Sequence, residues 1–339
     1  MITPGLIDLQ INGFAGIDFN SGDLTADQLD HALQALLATG VTSCLPTIIT
    51  ASPQKLEQRF LALDKSVQES RLGRLMCPGY HLEGPFLNPD SGYSGCHPAD
   101  AMTAANLDLF EHLQSLIQRP ILLTTLAPEV KGGIDFIRHI RARNVLVAIG
   151  HSACDFDMAV KAAEAGATLS THLGNGLPQI LPKFNNTIFA QLAEERLAAS
   201  FIADGIHIPS QVLKVLLRAK GKHNTILVTD AVSAAMAPAG SYRFADMHIE
   251  RRDDSTVLNP NGEGLAGSSL RMDDAIRNLV HWGLATFEEA VAMASSRVAT
   301  LLAPVLSPRG ITLPPSQITW SDSMTVTGSS INNEEYYAT

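Results

Sequence analysis

Short apolar runs alternate with amphipathic stretches along most of the chain. The apolar runs predict eight strands, at 6–12, 41–49, 75–83, 120–126, 144–150, 167–172, 197–203 and 224–230. Patterns typical of helices lie between and after them, at 23–39, 53–71, 132–143, 155–165, 209–220, 271–282 and 286–302. Strands and helices therefore alternate from one end of the chain to the other.

This alternation, with strands that are mostly apolar on both faces, favours a closed parallel barrel of the (β/α)8 TIM type. An open doubly wound sheet is the alternative. No GxGxxG motif follows the first strand, which weakens a dinucleotide-binding version of that sheet. We expect the barrel to span residues 1–305, with the chain starting directly at barrel strand one.

From about Pro304 the pattern changes, because residues 307–315 are rich in turn-forming residues. Two short alternating runs at 318–320 and 324–326 then predict a small β-hairpin. The tail after Gly328 carries no periodicity, so we expect it to be loosely held. Residues 306–339 are thus predicted to form a reduced C-terminal β segment.

Composition excludes several classes of function. The chain has 339 residues and a formal net charge of −10, with scattered basic residues, so the basic patch of a nucleic-acid-binding protein is absent. Uninterrupted apolar runs such as 145–149 are far shorter than the roughly 20 residues of a membrane helix, and we expect no membrane association. The four cysteines form no CxxC, and the N-terminus lacks a signal-peptide pattern. We therefore expect a cytoplasmic protein.

Polar residues with metal-binding and acid–base chemistry stand where predicted strands end. Catalytic groups of β/α barrels lie at this carboxyl-terminal face. The strand ends carry Gln10 and Asn12, His81 and Glu83, His151, His172, His207 and Asp230. A carboxylate with two imidazoles is a ligand set that suits zinc or iron, and a position left open to water would make the site catalytic. Asp230 is also suited to cap a helix or turn, and His81 either supports the site or simply packs.

A series of motifs in this sequence resembles the N-acetylglucosamine-6-phosphate deacetylase family of the amidohydrolase superfamily. The motifs occur in the order that the family shows and cover residues 4–303. They are Pro4-Gly-Leu-Ile-Asp-Leu-Gln-Ile-Asn-Gly, His81-Leu-Glu-Gly-Pro, Gly150-His-Ser, Thr171-His-Leu-Gly-Asn, Ala203-Asp-Gly-Ile-His, Val228-Thr-Asp and Leu265-Ala-Gly-Ser-Ser-Leu.

The resemblance implies a role for each matching residue. It implies hydrolysis of the acetamide of an N-acetylated amino-sugar phosphate, most simply N-acetylglucosamine-6-phosphate. The metal ligands are then Glu83, His151 and His172; Asp230 is the general base and acid, and His97 a donor to the oxyanion. The residues placed at the substrate are Gln10, Asn12, Asn175, Gly176, Lys183 and His207.

The resemblance also bears on the metal. Many amidohydrolases carry His-x-His at the end of strand one, where this chain has the neutral amides Gln10 and Asn12. Neutral amides bind a borderline ion poorly, so we expect a single divalent ion, zinc first and ferrous iron second.

Three departures from the family pattern affect the substrate and the assembly. An aromatic residue of the family is Gly174 here, and Lys183 stands where the family has a phosphate-binding arginine. Lysine lacks the bidentate fork of arginine, and Lys183 is equally well read as a solvated loop cation. The family's flanking β-sandwich is shortened here, so the homodimer that the resemblance implies is left open.

Alternative interpretations keep the fold and change the function. They are deacetylation of N-acetylgalactosamine-6-phosphate or of an unphosphorylated N-acyl compound, and a non-catalytic barrel that binds a sugar phosphate.

Overall fold

The computed structural model describes residues 1–259 and 264–337, and a parallel barrel of eight strands forms its centre. Each strand pairs with the next one in the chain, in parallel. The barrel strands are Leu6–Ile11, Val41–Ile49, Tyr80–Glu83, Ile121–Leu126, Leu146–Ile149, Leu169–Ser170, Ala198–Phe201 and Thr225–Leu227. The predicted (β/α)8 barrel is confirmed.

The barrel closes between strand one and the residues that follow strand eight. The backbone amide of Asp230 donates to the backbone carbonyl of Gln10 at 2.9 Å, and the backbone amide of Asn12 donates to the backbone carbonyl of Ala231 at 2.7 Å. These bonds place residues 10–12 beside residues 230 and 231 at the carboxyl-terminal mouth. Two segments that are more than 200 residues apart in the sequence therefore meet there.

Helices surround the barrel and bury their apolar faces against it. They are Ala26–Leu37, Pro53–Glu69, Arg71–Met76, Leu107–Ser115, Gly133–Ala142, Phe156–Ala165, Thr187–Ala193, Ser210–Lys220, Met272–His281, Phe287–Met293 and Ser296–Leu306. The first helix shows how the sequence determines where such a helix begins and which face it buries. Thr25 and Gln28 form a capping box at its start, and Leu29, Leu33 and Leu36 share its buried face.

The structure corrects the prediction around residue 75. A helix was expected over 53–71 and a strand from 75, but Ser70 ends the first helix and caps a second one, Arg71–Met76. Its hydroxyl accepts from the Gly73 amide at 2.7 Å, which starts the new helix. Strand three therefore begins only at Tyr80. The helices Leu107–Ser115 and Thr187–Ala193 were not predicted at all.

The C-terminal β segment is larger than the sequence predicted. Instead of a hairpin over 318–326 and a loose tail, four antiparallel strands form one sheet: Ile2–Pro4, Ser316–Trp320, Val326–Ile331 and Glu334–Tyr337. The prediction that barrel strand one begins the chain's structure was also wrong, since Ile2–Pro4 precedes it. The tail is held because Ile331 is fully buried and the Ser329 hydroxyl donates to the Leu37 carbonyl at 2.7 Å. The division of the chain at residue 305 stays a prediction.

Residues Phe287–Arg309 have the length and hydropathy of a membrane-crossing helix, which the count of uninterrupted apolar runs missed. In the structure this stretch is two helices that are separated at Ala294 and Ser295, and half of its most apolar window is buried. Val298 and Leu302 are fully buried in the main core. Packing within the protein thus accounts for the apolar character of this segment.

A second small sheet, which we call the mouth sheet, lies at the carboxyl-terminal face of the barrel. It consists of Gly240–Phe244, Met247–Arg251 and Val257–Leu258. Arg59, which is buried on the helix after strand two, donates to the Asp246 carboxylate at 2.8 Å and to the Ile49 carbonyl at 3.3 Å. This arginine ties the mouth sheet to strand two, so Phe244 lies against the mouth of the barrel.

Candidate active site

Glu83 is the centre of a cluster of imidazoles at the mouth of the barrel. It ends strand three, and the Nε2 atoms of His172 and His151 lie 3.1 and 3.5 Å from its Oε1. The Nε2 atom of His97 lies 3.7 Å from Oε2. All four side chains are buried. Burial acts to raise the pKa of Glu83, but hydrogen bonds with His151 and His172 outweigh it and hold the pKa well below its usual range.

The donor set of this cluster fits a divalent metal ion. The Nδ1 atom of His151 lies 2.7 Å from the Tyr93 carbonyl, which can only accept, so Nδ1 carries the hydrogen. With that hydrogen on Nδ1, Nε2 is the ring atom free to offer a lone pair to a cation held between His151 and the Glu83 carboxylate. Ligand atoms of Glu83, His97 and His151 lie within 4.8 Å of one another, and His172 joins them through Glu83.

Asp230 lies beside this cluster and is held by two amides. Its Oδ1 accepts from Asn12 Nδ2 at 2.7 Å and from Gln10 Nε2 at 3.2 Å. The same Gln10 nitrogen donates to Glu83 Oε1 at 3.1 Å, so it bridges the two carboxylates. Burial, with the Glu83 charge next, raises the pKa of Asp230 to about 6. A carboxylate with this pKa can accept and return a proton near neutral pH.

The site is built on strained backbone. His151, His172 and Asp230 have φ values of 51°, 30° and 50°, in the left-handed region that non-glycine residues seldom adopt. Such strain persists where the surrounding structure over-determines it, commonly at functional sites. Gly176 leaves the space that the His151 ring occupies, because a Cβ at this position would lie 2.5 Å from Nδ1 of His151.

A pocket of about 410 Å³ opens above the cluster. Its floor includes Glu83, His97, His151, His172 and Asp230. Its walls come from the loop after strand six, with Asn175 and Gly176, from His207 after strand seven, and from Phe244 of the mouth sheet. The volume is in the range of small-molecule sites. The arrangement thus combines a cluster of donors that fits a metal ion, a carboxylate able to accept a proton and room for a ligand of metabolite size.

Comparison with known proteins agrees with this arrangement. No family model matches the chain. The N-acetylgalactosamine-6-phosphate deacetylase of Escherichia coli O157:H7 is 31% identical over 302 residues, which are 89% of this chain and 78% of that protein. The N-acetylglucosamine-6-phosphate deacetylases of Bacillus subtilis (strain 168) and Homo sapiens are 30% and 31% identical, again over 89% of this chain and over 75% and 74% of theirs. The chain belongs to the N-acetylglucosamine-6-phosphate deacetylase family.

Solved structures agree with this membership. The chain superposes on the N-acetylglucosamine-6-phosphate deacetylase of Pasteurella multocida with a TM-score of 0.86 and 26% identity, covering 99% of this chain and 86% of that one. The Mycobacterium smegmatis deacetylase in complex with N-acetyl-D-glucosamine-6-phosphate shares the fold, with a TM-score of 0.88 at 24% identity, covering 99% and 87%. The family resemblance read from the sequence motifs is confirmed.

Most residues that the motifs assigned to the deacetylase site meet in this pocket. Glu83, His97, His151, His172 and Asp230 form the cluster, and Asn12, Asn175, Gly176 and His207 line the pocket with them. Gln10 lies behind them: it contacts both carboxylates and is not among the residues that line the pocket. His81 is buried below the site, where its Nε2 lies 2.8 Å from the Thr125 hydroxyl.

Lys183 lies apart from the others. Its side chain is exposed, and its ammonium lies 5.2 Å from the centre of the Phe184 ring rather than at the pocket. Among the described residues, no lysine or arginine lines the pocket. The assignment of Lys183 to a phosphate group stays a prediction.

The sequence analysis overlooked Thr50 and Phe244. Thr50 directly follows strand two, and its hydroxyl lies 2.9 Å from Nδ1 of His97. The rule that polar residues at strand ends build the site would have found it, had it been applied to strand two. Phe244 belongs to the mouth sheet, and no local pattern indicates that this sheet folds over the pocket.

Proposed function

We propose that this protein hydrolyses the acetamide of an N-acetylated amino-sugar phosphate, N-acetylglucosamine-6-phosphate first, to the free amine and acetate. The observation that carries the proposal is the buried Glu83–histidine cluster with Asp230 beside it, in a chain that belongs to this deacetylase family. We further propose a single zinc ion, held by Glu83, His151 and His172, since imidazole and carboxylate ligands suit zinc. When bound, such an ion polarises water and the acyl oxygen.

The chain's own residues supply the proton transfers. Asp230 accepts the proton of the attacking water and then returns it to the leaving amine. Asn12 and Gln10 hold its carboxylate in place for both steps. His97 donates to the acyl oxygen as negative charge develops there, and Asn175 and His207 hold the sugar in the pocket.

The test is acetate release from N-acetylglucosamine-6-phosphate by the metal-replete protein, with Asp230→Asn beside it. We expect release by the wild type, and a loss of about 10²–10⁴-fold or more in the variant. No release by the wild type, with one zinc bound per chain by elemental analysis, would overturn this substrate. Iron in place of zinc at full activity would overturn the choice of metal alone.

A second candidate substrate is an unphosphorylated N-acetylated amino sugar. The pocket offers no lysine or arginine among the described residues to bind a phosphate, which favours this alternative. Rates on N-acetylglucosamine with and without the 6-phosphate separate the two. Equal kcat/KM values would favour the neutral substrate, and a preference of tenfold or more for the phosphate ester would exclude it. N-acetylgalactosamine-6-phosphate in the same assay tests the epimer.

We also propose that the protein forms a homodimer. Three large apolar side chains lie together in the sequence and are strongly exposed: Ile180 at 88%, Phe184 at 69% and Phe189 at 47%. Exposed apolar groups of this kind are common at interfaces between subunits. Sedimentation equilibrium should give twice the chain mass, and Phe184→Ser should lower that mass toward a single chain. A monomeric wild type at micromolar concentration would overturn the proposal.

A further inference from the structure

Two histidines of the site differ in what faces their Nδ1 atoms. Nδ1 of His151 faces the Tyr93 carbonyl, which can only accept a hydrogen bond. Nδ1 of His97 faces the Thr50 hydroxyl at 2.9 Å, which can donate as well as accept. In a neutral imidazole one ring nitrogen carries the hydrogen and the other a lone pair, so these neighbours decide what each Nε2 offers to the pocket.

We propose that Thr50 is a positioning residue, whose hydroxyl donates to Nδ1 of His97 and so keeps a hydrogen on Nε2. His151 then offers a lone pair to a metal ion, while His97 offers an N–H to the acyl oxygen of the substrate. This inference rests on the proposed deacetylation, in which His97 must donate. It assigns a role to a residue directly after strand two that none of the motifs named above contains.

The distances support donation by Thr50 toward His97. The hydroxyl has one hydrogen and two acceptors within reach, Nδ1 of His97 at 2.9 Å and the Glu83 carbonyl at 3.3 Å, and the contact with His97 is the shorter of the two.

The packing around Thr50 keeps its hydroxyl in this place. Thr50 is 1% exposed, so water does not compete for the bond. A Cβ at Gly84 would lie 2.1 Å from Thr50 Oγ1, and Gly84 has a φ of 82°. The glycine that follows Glu83 is therefore needed both for the backbone turn and for the space that the hydroxyl occupies.

The tautomer of His97 is measurable without any substrate. Nitrogen-15 NMR of histidine-labelled, zinc-bound protein separates a protonated Nδ1 from a protonated Nε2, and His97→Gln identifies the signal. We expect a protonated Nε2 in the wild type and in Thr50→Ser, and loss of that preference in Thr50→Val. A protonated Nδ1 in the wild type would overturn the proposal. Because this result needs no turnover, it stands even if the proposed substrate fails.

Kinetics then test the consequence for catalysis. Loss of one oxyanion donor costs about 10²–10³-fold in kcat, so we expect kcat of Thr50→Val to fall by about 10²-fold with KM nearly unchanged. Thr50→Ser should restore kcat to within about threefold of the wild type, since it keeps the same hydroxyl hydrogen bond. Thr124→Val is the matched control, because it removes a buried threonine hydroxyl that donates to a backbone carbonyl, that of Leu82, rather than to a histidine. Equal kcat values for Thr50→Val and Thr124→Val would overturn the proposal.

Discussion

The two sides of the pocket are built differently. The floor stands on the ends of barrel strands, where Glu83, His151 and His172 are buried, Asp230 is half-buried, and most of their polar atoms have partners. The outer wall is made of loops and the mouth sheet, and Asn175, Gly176 and His207 there are partly exposed. Strand ends hold side chains rigidly, whereas loops tolerate change. On the proposed function, we therefore expect the floor to determine the reaction and the wall to determine which sugar is accepted.

Among the substitutions that test this comparison, we expect the largest loss of activity at the centre of the floor. Glu83→Gln removes the carboxylate on which three imidazoles converge, so zinc binding and acetate release should both be lost. We expect a rate at least about 10⁴-fold below the wild type, at or above the upper end of what the loss of one general acid–base group costs. Elemental analysis gives the zinc content and an acetate assay gives the rate. Full zinc content in the variant would show that Glu83 is not a ligand.

The second effect concerns the proton acceptor. Burial and the Glu83 charge raise the pKa of Asp230 to about 6, and a general base works only when it is ionised. The value of kcat/KM should therefore rise with pH through about 6 and level off above it. A pH–rate profile from pH 4.5 to 8 measures this limb. A profile that is flat across this range would exclude Asp230 as the base.

A smaller effect should follow from the amides that hold Asp230. Asn12 donates to its Oδ1 at 2.7 Å, which stabilises the ionised form and lowers the pKa of Asp230. In Asn12→Leu that donor is lost, so the acid limb should move to higher pH, by about one unit for a bond worth about 1.4 kcal/mol. The limb measured for the wild type is the control. A limb that moves to lower pH would contradict the role given to Asn12.

The sequence predicted the floor better than the wall, and the reason is physical. Strand periodicity and the rule that barrel sites lie at strand ends located Glu83, His151, His172 and Asp230, because these positions follow from local pattern and one topology. Phe244 reaches the pocket only through the mouth sheet, which Arg59 holds from a helix almost 200 residues earlier. The tail strand Glu334–Tyr337 likewise depends on pairing with Val326–Ile331. Contacts of this kind leave little local pattern in a sequence.

The smallest effect is expected outside the pocket, at Lys183. Its ammonium is exposed beside the Phe184 ring, and an exposed charge outside the pocket attracts an anion only weakly in water. Lys183→Ala should therefore lower kcat/KM for a phosphorylated substrate by no more than about twofold, close to Lys161→Ala, which removes another exposed lysine. The two variants are compared on N-acetylglucosamine with and without the 6-phosphate. A loss of tenfold or more in Lys183→Ala, confined to the phosphate ester, would place Lys183 at the bound phosphate. The wall would then be completed by a movement of its loop or by a second chain, and its specificity would no longer follow from the pocket of one chain.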